Sequence, residues 1–401
     1  MDIFSYIIER EKNGDSKFKE TYLNTLKISN KKKLMSIVDY IINIKLFKDR
    51  KTKILFLGNK FEDIILGCSN KYKPFVFGSN GIKGRLKLKK NGIRYYNDSI
   101  IKNELYVAYN ETNSEKRKIL VDNLVEKCVK ILKKENIECV ILINDSLFEE
   151  RLLCSAAKQL KIPTVTIQHG LFQFENPFIN DGFFCEYFFC WGEYFKNKYI
   201  EFKIKEEDKI KVTGYPYNSI KNNEVTKRKS TDEKINVCFL GQPYELYNNI
   251  QADEKYRIVE KLIKICDEVG ANFLYRLHPG EVKEDIIKRC PKIKNISCEN
   301  DLLVDLVEND IIFGINSTAL VEASIANKVS VEIIDEKFIS YNYGSKGICY
   351  TLNNSYEEFS KFIGDYIKGK IVPLGNNEEY VAVNDSLNNK FEELIDEVLK
   401  K

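Results

Sequence analysis

Histidine is almost missing from this chain: 401 residues contain two, His169 and His278. Chemistry that needs several imidazoles, such as a multi-histidine metal centre, is therefore excluded. The eleven cysteines include no C-x-x-C pair, and the closest two, Cys185 and Cys190 in "CEYFFCWG", have no other ligand cluster beside them. Several lie inside apolar runs, as Cys139 does in "ECVILI", and read as small core residues of a reducing compartment. No D-x-D triplet is present, so the carboxylate pair that holds a metal on a sugar nucleotide is absent and no bound metal is expected. No G-x-x-x-x-G-K-[ST] loop, G-x-G-x-x-G or G-x-S-x-G occurs, which argues against a P-loop NTPase, a Rossmann dehydrogenase and a common serine hydrolase. No run reaches the roughly 18 apolar residues of a membrane span. The segment "MDIFSYIIEREKNGDSKF" is charged too early for a signal peptide, so a cytoplasmic protein is expected, with at most peripheral membrane contact. Charge of one sign is lacking too: 63 basic against 59 acidic residues leave +4, too even for a nucleic-acid-binding protein.

What is present is 43% hydrophobic and 12% aromatic, a globular composition long enough for two or three cores. Residues 1–50 read as helical. Short apolar runs then follow at 54–58, 74–78, 104–109, 138–145, 163–170, 186–192 and 209–216. Amphipathic stretches such as 114–135 and 147–161 separate some of them, the pattern of β-α-β units and a parallel sheet. The polar segment 217–234 reads as a linker. The alternation restarts with strands expected at 235–243, 272–280, 295–298, 310–318 and 329–334 within a second domain, 235–385. A C-terminal amphipathic helix spans 386–401. The expected fold class is α/β, with two Rossmann-like doubly wound domains, 51–216 and 235–385, facing across a cleft. Open α/β sheets bind ligands at the C-terminal ends of their strands.

Both histidines sit at such strand ends. His278 lies in "YRLHPGE", held extended by Pro279, with Arg276 two residues back; its imidazole can donate to a phosphate. In "GINSTALVEA", Asn316, Ser317 and Thr318 open a helix, which fits a helix cap and equally an anion site. Glu322, one turn on, suits a ribose diol. Gly241 and Gln242 end the strand "FLGQP". In "TIQHGLFQ", Gly170 lets the chain turn after His169, a base suited to an attacking hydroxyl. Asp181, in "NDG", is a rival base or an ordinary turn residue.

The series "QHG", "CWGEYFKNKY", "KIKVTGYPYNS", "FLGQP", "RLHPG" and "GINSTALVEA", over residues 137–335, resembles bacterial surface-polysaccharide glycosyltransferases of the GT-B fold. Within that set it is similar to sialyltransferases and polysialyltransferases, capsule Kdo transferases and CDP-glycerol glycerophosphotransferases. The resemblance implies that His278, Ser317 and Thr318 hold the donor phosphate, with a cytidine nucleotide such as a CMP-sugar as one donor. It also implies that Glu322 binds ribose and that His169 is the base. The acids that sialyltransferases carry before a glycine find their nearest match in Asp181. The expected function is a metal-independent glycosyltransferase. Its substrates would be a nucleotide-sugar donor and a glycan or lipid-linked glycan acceptor, and it would work beside membrane assembly machinery. The alternatives are glycerol-phosphate transfer, a sugar-nucleotide epimerase and an inactive scaffold.

Overall fold

The computed structural model describes residues 3–12, 16–27, 51–58, 61–78, 82–144, 146–170, 184–216, 234–246, 248–298, 302–375, 377–382 and 387–400. The chain forms two compact units, Met1–Tyr217 with Ala382–Lys401, and Asn218–Val381. Each is built on one parallel sheet.

The N-terminal unit has seven strands: β1 (Lys53–Leu57), β2 (Lys73–Phe77), β3 (Arg94–Tyr96), β4 (Ile137–Leu142), β5 (Thr164–Ile167), β6 (Tyr187–Cys190) and β7 (Ile210–Val212). Their order in the sheet is β3-β2-β1-β4-β5-β6-β7, and every pairing is parallel. Alternation along the strands feeds two cores, one on each face. Leu55, Val140 and Leu142 join one, with Phe4 and with Ile7, Leu23 and Leu26 of the helices Ser5–Lys12 and Ser16–Leu26. Ile54, Phe56, Cys139 and Ile141 join the other. That second face is closed by the C-terminal helix Leu387–Lys400. Its Leu387, Phe391, Leu394, Ile395 and Val398 recur at helical spacing and are all buried. Burying a side chain the size of Phe391 stabilises by roughly 1.5–3 kcal/mol.

The C-terminal unit has six strands: β8 (Asn236–Leu240), β9 (Asn272–Arg276), β10 (Ile296–Ser297), β11 (Ile311–Gly314), β12 (Val329–Ile334) and β13 (Tyr350–Asn353). Their order is β10-β9-β8-β11-β12-β13, again wholly parallel. The crossover helix Asn249–Val269 starts at Asn248, whose side chain accepts from the Ile250 and Gln251 amides, and ends at Gly270 with φ +70°.

The α/β class with two parallel sheets stands as read from the sequence. One expected strand does not: residues 104–109, "ELYVAY", lie in the helix Ser99–Asn110. Ile101, Leu105 and Ala108 are its buried apolar residues, at the i, i+4, i+7 spacing of a helix, which outweighs the β-like composition of the short run. Two strands passed unnoticed, β3 ("RYY") and β13 ("YTLN"), because polar and partly exposed residues break both and no apolar run marks them. The expected linker, 217–234, falls almost wholly outside the described residues. Among the described residues no helix is long and apolar enough to cross a membrane, and no group of three His, Cys, Asp or Glu can hold a metal. Ten of the eleven cysteines are buried, Cys185 and Cys190 among them.

Candidate functional site

In the C-terminal unit, the strand order reverses between β8 and β11: β9 and β10 follow on one side of β8, and β11 starts the other side. The C-terminal ends of strands beside such a reversal form the crevice in which open α/β sheets bind ligands. Three candidate loops gather there. The loop after β8 carries Gly241, Gln242 and Pro243; the loop after β9 carries His278, Pro279 and Gly280; the loop after β11 carries Asn316, Ser317 and Thr318.

Hydrogen bonds join them. Gly241 N–H donates to the Arg276 carbonyl at 2.8 Å, and Tyr244 Oη donates to Asn316 Oδ1 at 2.5 Å. Burial pushes the Tyr244 hydroxyl far above its ordinary pKa, so it stays a donor. A fourth segment, following β12, adds Tyr343, whose hydroxyl donates to the Ser317 carbonyl at 3.2 Å. Tyr343 is held in turn by Glu332, a fully buried carboxylate that accepts from Ser340 Oγ and from the Tyr341 and Tyr343 amides, at 2.8, 2.9 and 2.8 Å.

Gly241 is closely enclosed. A Cβ there would lie 2.2 Å from Glu281 Oε2, 2.8 Å from Tyr275 Oη and 2.9 Å from the Arg276 carbonyl. Gly241→Ala is therefore expected to cost about 1–3 kcal/mol of overpacking, seen as a lower midpoint in urea unfolding at unchanged slope.

His278 is partly buried, and its Nδ1 accepts from the Gly280 N–H at 3.0 Å. An imidazole nitrogen that accepts carries no proton, so the neutral ring bears its hydrogen on Nε2. The side chain is thereby set as a donor. Arg276 follows the same strand, and its Nη1 lies 2.6 Å from Oδ2 of the buried Asp305 and 3.2 Å from Ser297 Oγ. Ser317 Oγ accepts from the Ala319 N–H at 3.3 Å. Thr318 is the N-cap residue of the helix Ala319–Ile325 without a side-chain capping bond. Glu322 lies on that helix, partly buried.

In the N-terminal unit the order reverses between β1 and β4, and His169 follows the neighbouring strand, β5. Its Nδ1 is 2.6 Å from the Ile143 carbonyl, just past β4. A carbonyl only accepts, so Nδ1 carries the hydrogen and the neutral ring keeps its lone pair on Nε2. The turn is fixed by Gln168, which is fully buried. Gln168 Nε2 donates to the Gly170 carbonyl at 3.0 Å, while its Oε1 accepts from the Trp191 amide at 3.0 Å. The indole of Trp191 donates to the Gln168 carbonyl at 2.8 Å. The two neutral histidines thus hold opposite tautomers. Asp181 lies outside the described residues. A cavity of about 830 Å³ in this unit, lined by Glu138, Lys158, Lys161, Tyr187 and Lys209 among others, contains neither His169 nor Gln168.

Sequence reasoning passed over Tyr244, Tyr343, Glu332, Lys255 and Glu281. Glu281 stands inside the quoted "YRLHPGE"; the others are scattered residues that only the fold brings to the strand ends.

No family model matches the chain, and no curated protein matches it. Solved structures do. The chain is similar to UDP-GlcNAc 2-epimerase from Neisseria meningitidis, bound to UDP-GlcNAc, at TM-score 0.59 and 15% identity over 88% of this chain and 100% of that one. It is similar to S. aureus MnaA, solved with UDP, at TM-score 0.59 and 12% identity over 87% and 97%. It is also similar to Anabaena HepE, solved with UDP and glucose, at TM-score 0.50 and 13% identity over 86% and 100%. At such identities the likeness speaks for the fold, a two-sheet α/β fold of the GT-B type. The sialyltransferase, Kdo transferase and glycerophosphotransferase resemblances find no support among these neighbours.

Proposed function

We propose that this chain is an enzyme acting on a UDP-activated sugar, and that its reaction is epimerisation of that sugar. The observation that carries the nucleotide part is the convergence of three loops at the β8–β11 reversal, with His278 set as a donor beside Pro243 and Tyr244 bonded to Asn316. His278 Nε2–H, the hydroxyls of Ser317 and Thr318 and the loop amides suit diphosphate oxygens. The uridine part is supported by the neighbours, whose structures hold UDP-GlcNAc, UDP or UDP with glucose. The cytidine nucleotide implied by the sequence resemblance has no such support.

Epimerisation requires a base that removes a proton from a ring carbon before it returns to the opposite face. His169, with its lone pair on Nε2, has the tautomer for that step. A second reading is sugar transfer to a glycan or lipid-linked acceptor, in which the same base takes a hydroxyl proton. It is favoured by the resemblance over residues 137–335.

Deuterated water separates the two. Incubation with UDP-GlcNAc is expected to give a second UDP-sugar with deuterium on a ring carbon, followed by proton NMR. Free UDP rising only when an acceptor is added, with no deuterium in the sugar, would replace epimerisation by transfer. Neither product from a panel of UDP-sugars would remove both readings.

A further inference from the structure

Behind the His278 loop lies a charged side chain that the functional reading leaves unused. Lys255, on the helix Asn249–Val269, has a side chain with no solvent exposure. Its ammonium spends all three hydrogens inside the protein: on Glu281 Oε1 at 2.6 Å, on Glu245 Oε1 at 2.6 Å and on the Gln242 carbonyl at 3.0 Å. Taking an ammonium out of water is expensive, and well-packed apolar residues usually serve stability as well. A buried lysine between two loops that carry site residues therefore calls for a reason beyond stability.

The bonds beyond it supply one. Glu281 Oε1 also accepts from Tyr275 Oη at 2.7 Å, and Glu281 Oε2 accepts from the His278 amide at 2.8 Å. The Glu281 amide donates back to the His278 carbonyl at 2.9 Å. This closes the turn His278–Glu281, and the turn places the Gly280 N–H against His278 Nδ1. On the other side, Glu245 and the Gln242 carbonyl belong to the loop after β8, and Tyr256 Oη donates to the same Glu245 oxygen. Burial alone would raise the Glu245 carboxyl, but the hydrogen bond and charge of Lys255, with Tyr256, bring it below the usual range.

We infer that Lys255 is the positioning residue that fixes the tautomer and direction of His278, acting through Glu281 and tying the loops after β8 and β9 into one rigid donor site. The inference rests on the nucleotide reading for its purpose, while the tautomer it sets is a property of the unliganded chain. Lys255 touches no substrate in this account; its effect travels through a turn.

Two histidines make the test simple, because each ring can be assigned. In long-range ¹H–¹⁵N spectra of the native chain, His278 is expected to show a pyridine-like Nδ1 and His169 a pyridine-like Nε2. In Lys255→Met, His278 is expected to become a mixture of tautomers while His169 keeps its pattern, which general loosening would not produce. Should Lys255→Met fail to fold, the near-isosteric Glu281→Gln removes the same link and is expected to give the same change. UDP affinity should fall by a similar factor in Lys255→Met and in His278→Gln, with no further fall in the double variant. An unchanged His278 pattern in both link variants, or losses that multiply in the double variant, would overturn the inference. Failure of the native chain to bind UDP would remove the nucleotide reading and leave the spectra to decide the role of Lys255.

Discussion

His169→Gln is expected to lower turnover of a UDP-sugar by about 10²–10⁴-fold, the usual worth of a positioned general base, while UDP affinity stays at the native value. The expectation follows from one bond. With Nδ1–H committed to the Ile143 carbonyl at 2.6 Å, the neutral imidazole carries its lone pair on Nε2, the nitrogen that the proposed base step uses. Glutamine can keep the bond to Ile143 through its amide hydrogen, and so keeps the turn, but it cannot take a proton. Gln168 and Trp191 are untouched by the change, so the turn keeps its main anchor. In the proposed reading UDP is held by the loops after β8, β9 and β11, which the substitution does not alter, so its binding is expected to survive. A titration with UDP beside a steady-state assay checks both halves; equal turnover in native and variant would strip His169 of the base role and move attention to Asp181.

The second large effect is on stability. Glu332 is fully buried and accepts three hydrogen bonds, from Ser340 Oγ and the amides of Tyr341 and Tyr343. Leucine in its place would leave three donors facing an apolar side chain. At about 1–3 kcal/mol for each buried group left unmade, Glu332→Leu is expected to cost roughly 3–5 kcal/mol, partly relieved by water reaching the loop. Glutamine keeps one acceptor oxygen and is expected to cost less than half of that. The damage should reach the site as well, since Tyr343 braces the Ser317 carbonyl. Urea unfolding of the two variants checks the order, and a leucine variant as stable as the native chain would show that the loop finds other partners.

The parallel sheets were legible because buried strands write themselves as short apolar runs, "ILFLG", "ECVILI" and "NVCFLG" among them. The helix Ser99–Asn110 misled because its aromatic and β-branched residues suit a strand, and only the spacing of Ile101, Leu105 and Ala108 shows the helical face. That His278 and Ser317 follow strand ends was legible because Pro, Gly and Ser after an apolar run mark such an end. Arg276 was placed beside His278 from its spacing alone, and a sequence cannot show that Asp305, 29 residues on, pairs with it. Lys255 was invisible for the same reason: in a chain rich in lysine, a buried one looks like all the others until Glu245 and Glu281 are seen beside it. The tautomers of the two histidines are legible only in three dimensions, since each depends on a backbone group the fold brings near.

The central claim, that the loops after β8, β9 and β11 hold a uridine diphosphate with His278 as a donor, is tested most directly by thermal stabilisation in the presence of UDP, CMP, CDP, GDP and ADP. Binding to the folded state raises the unfolding midpoint with the logarithm of ligand over Kd. UDP is predicted to give the largest shift, and His278→Gln to lose most of it. A larger shift with CMP or CDP would return the donor to the cytidine class, and a shift from no nucleotide at all would contradict the claim.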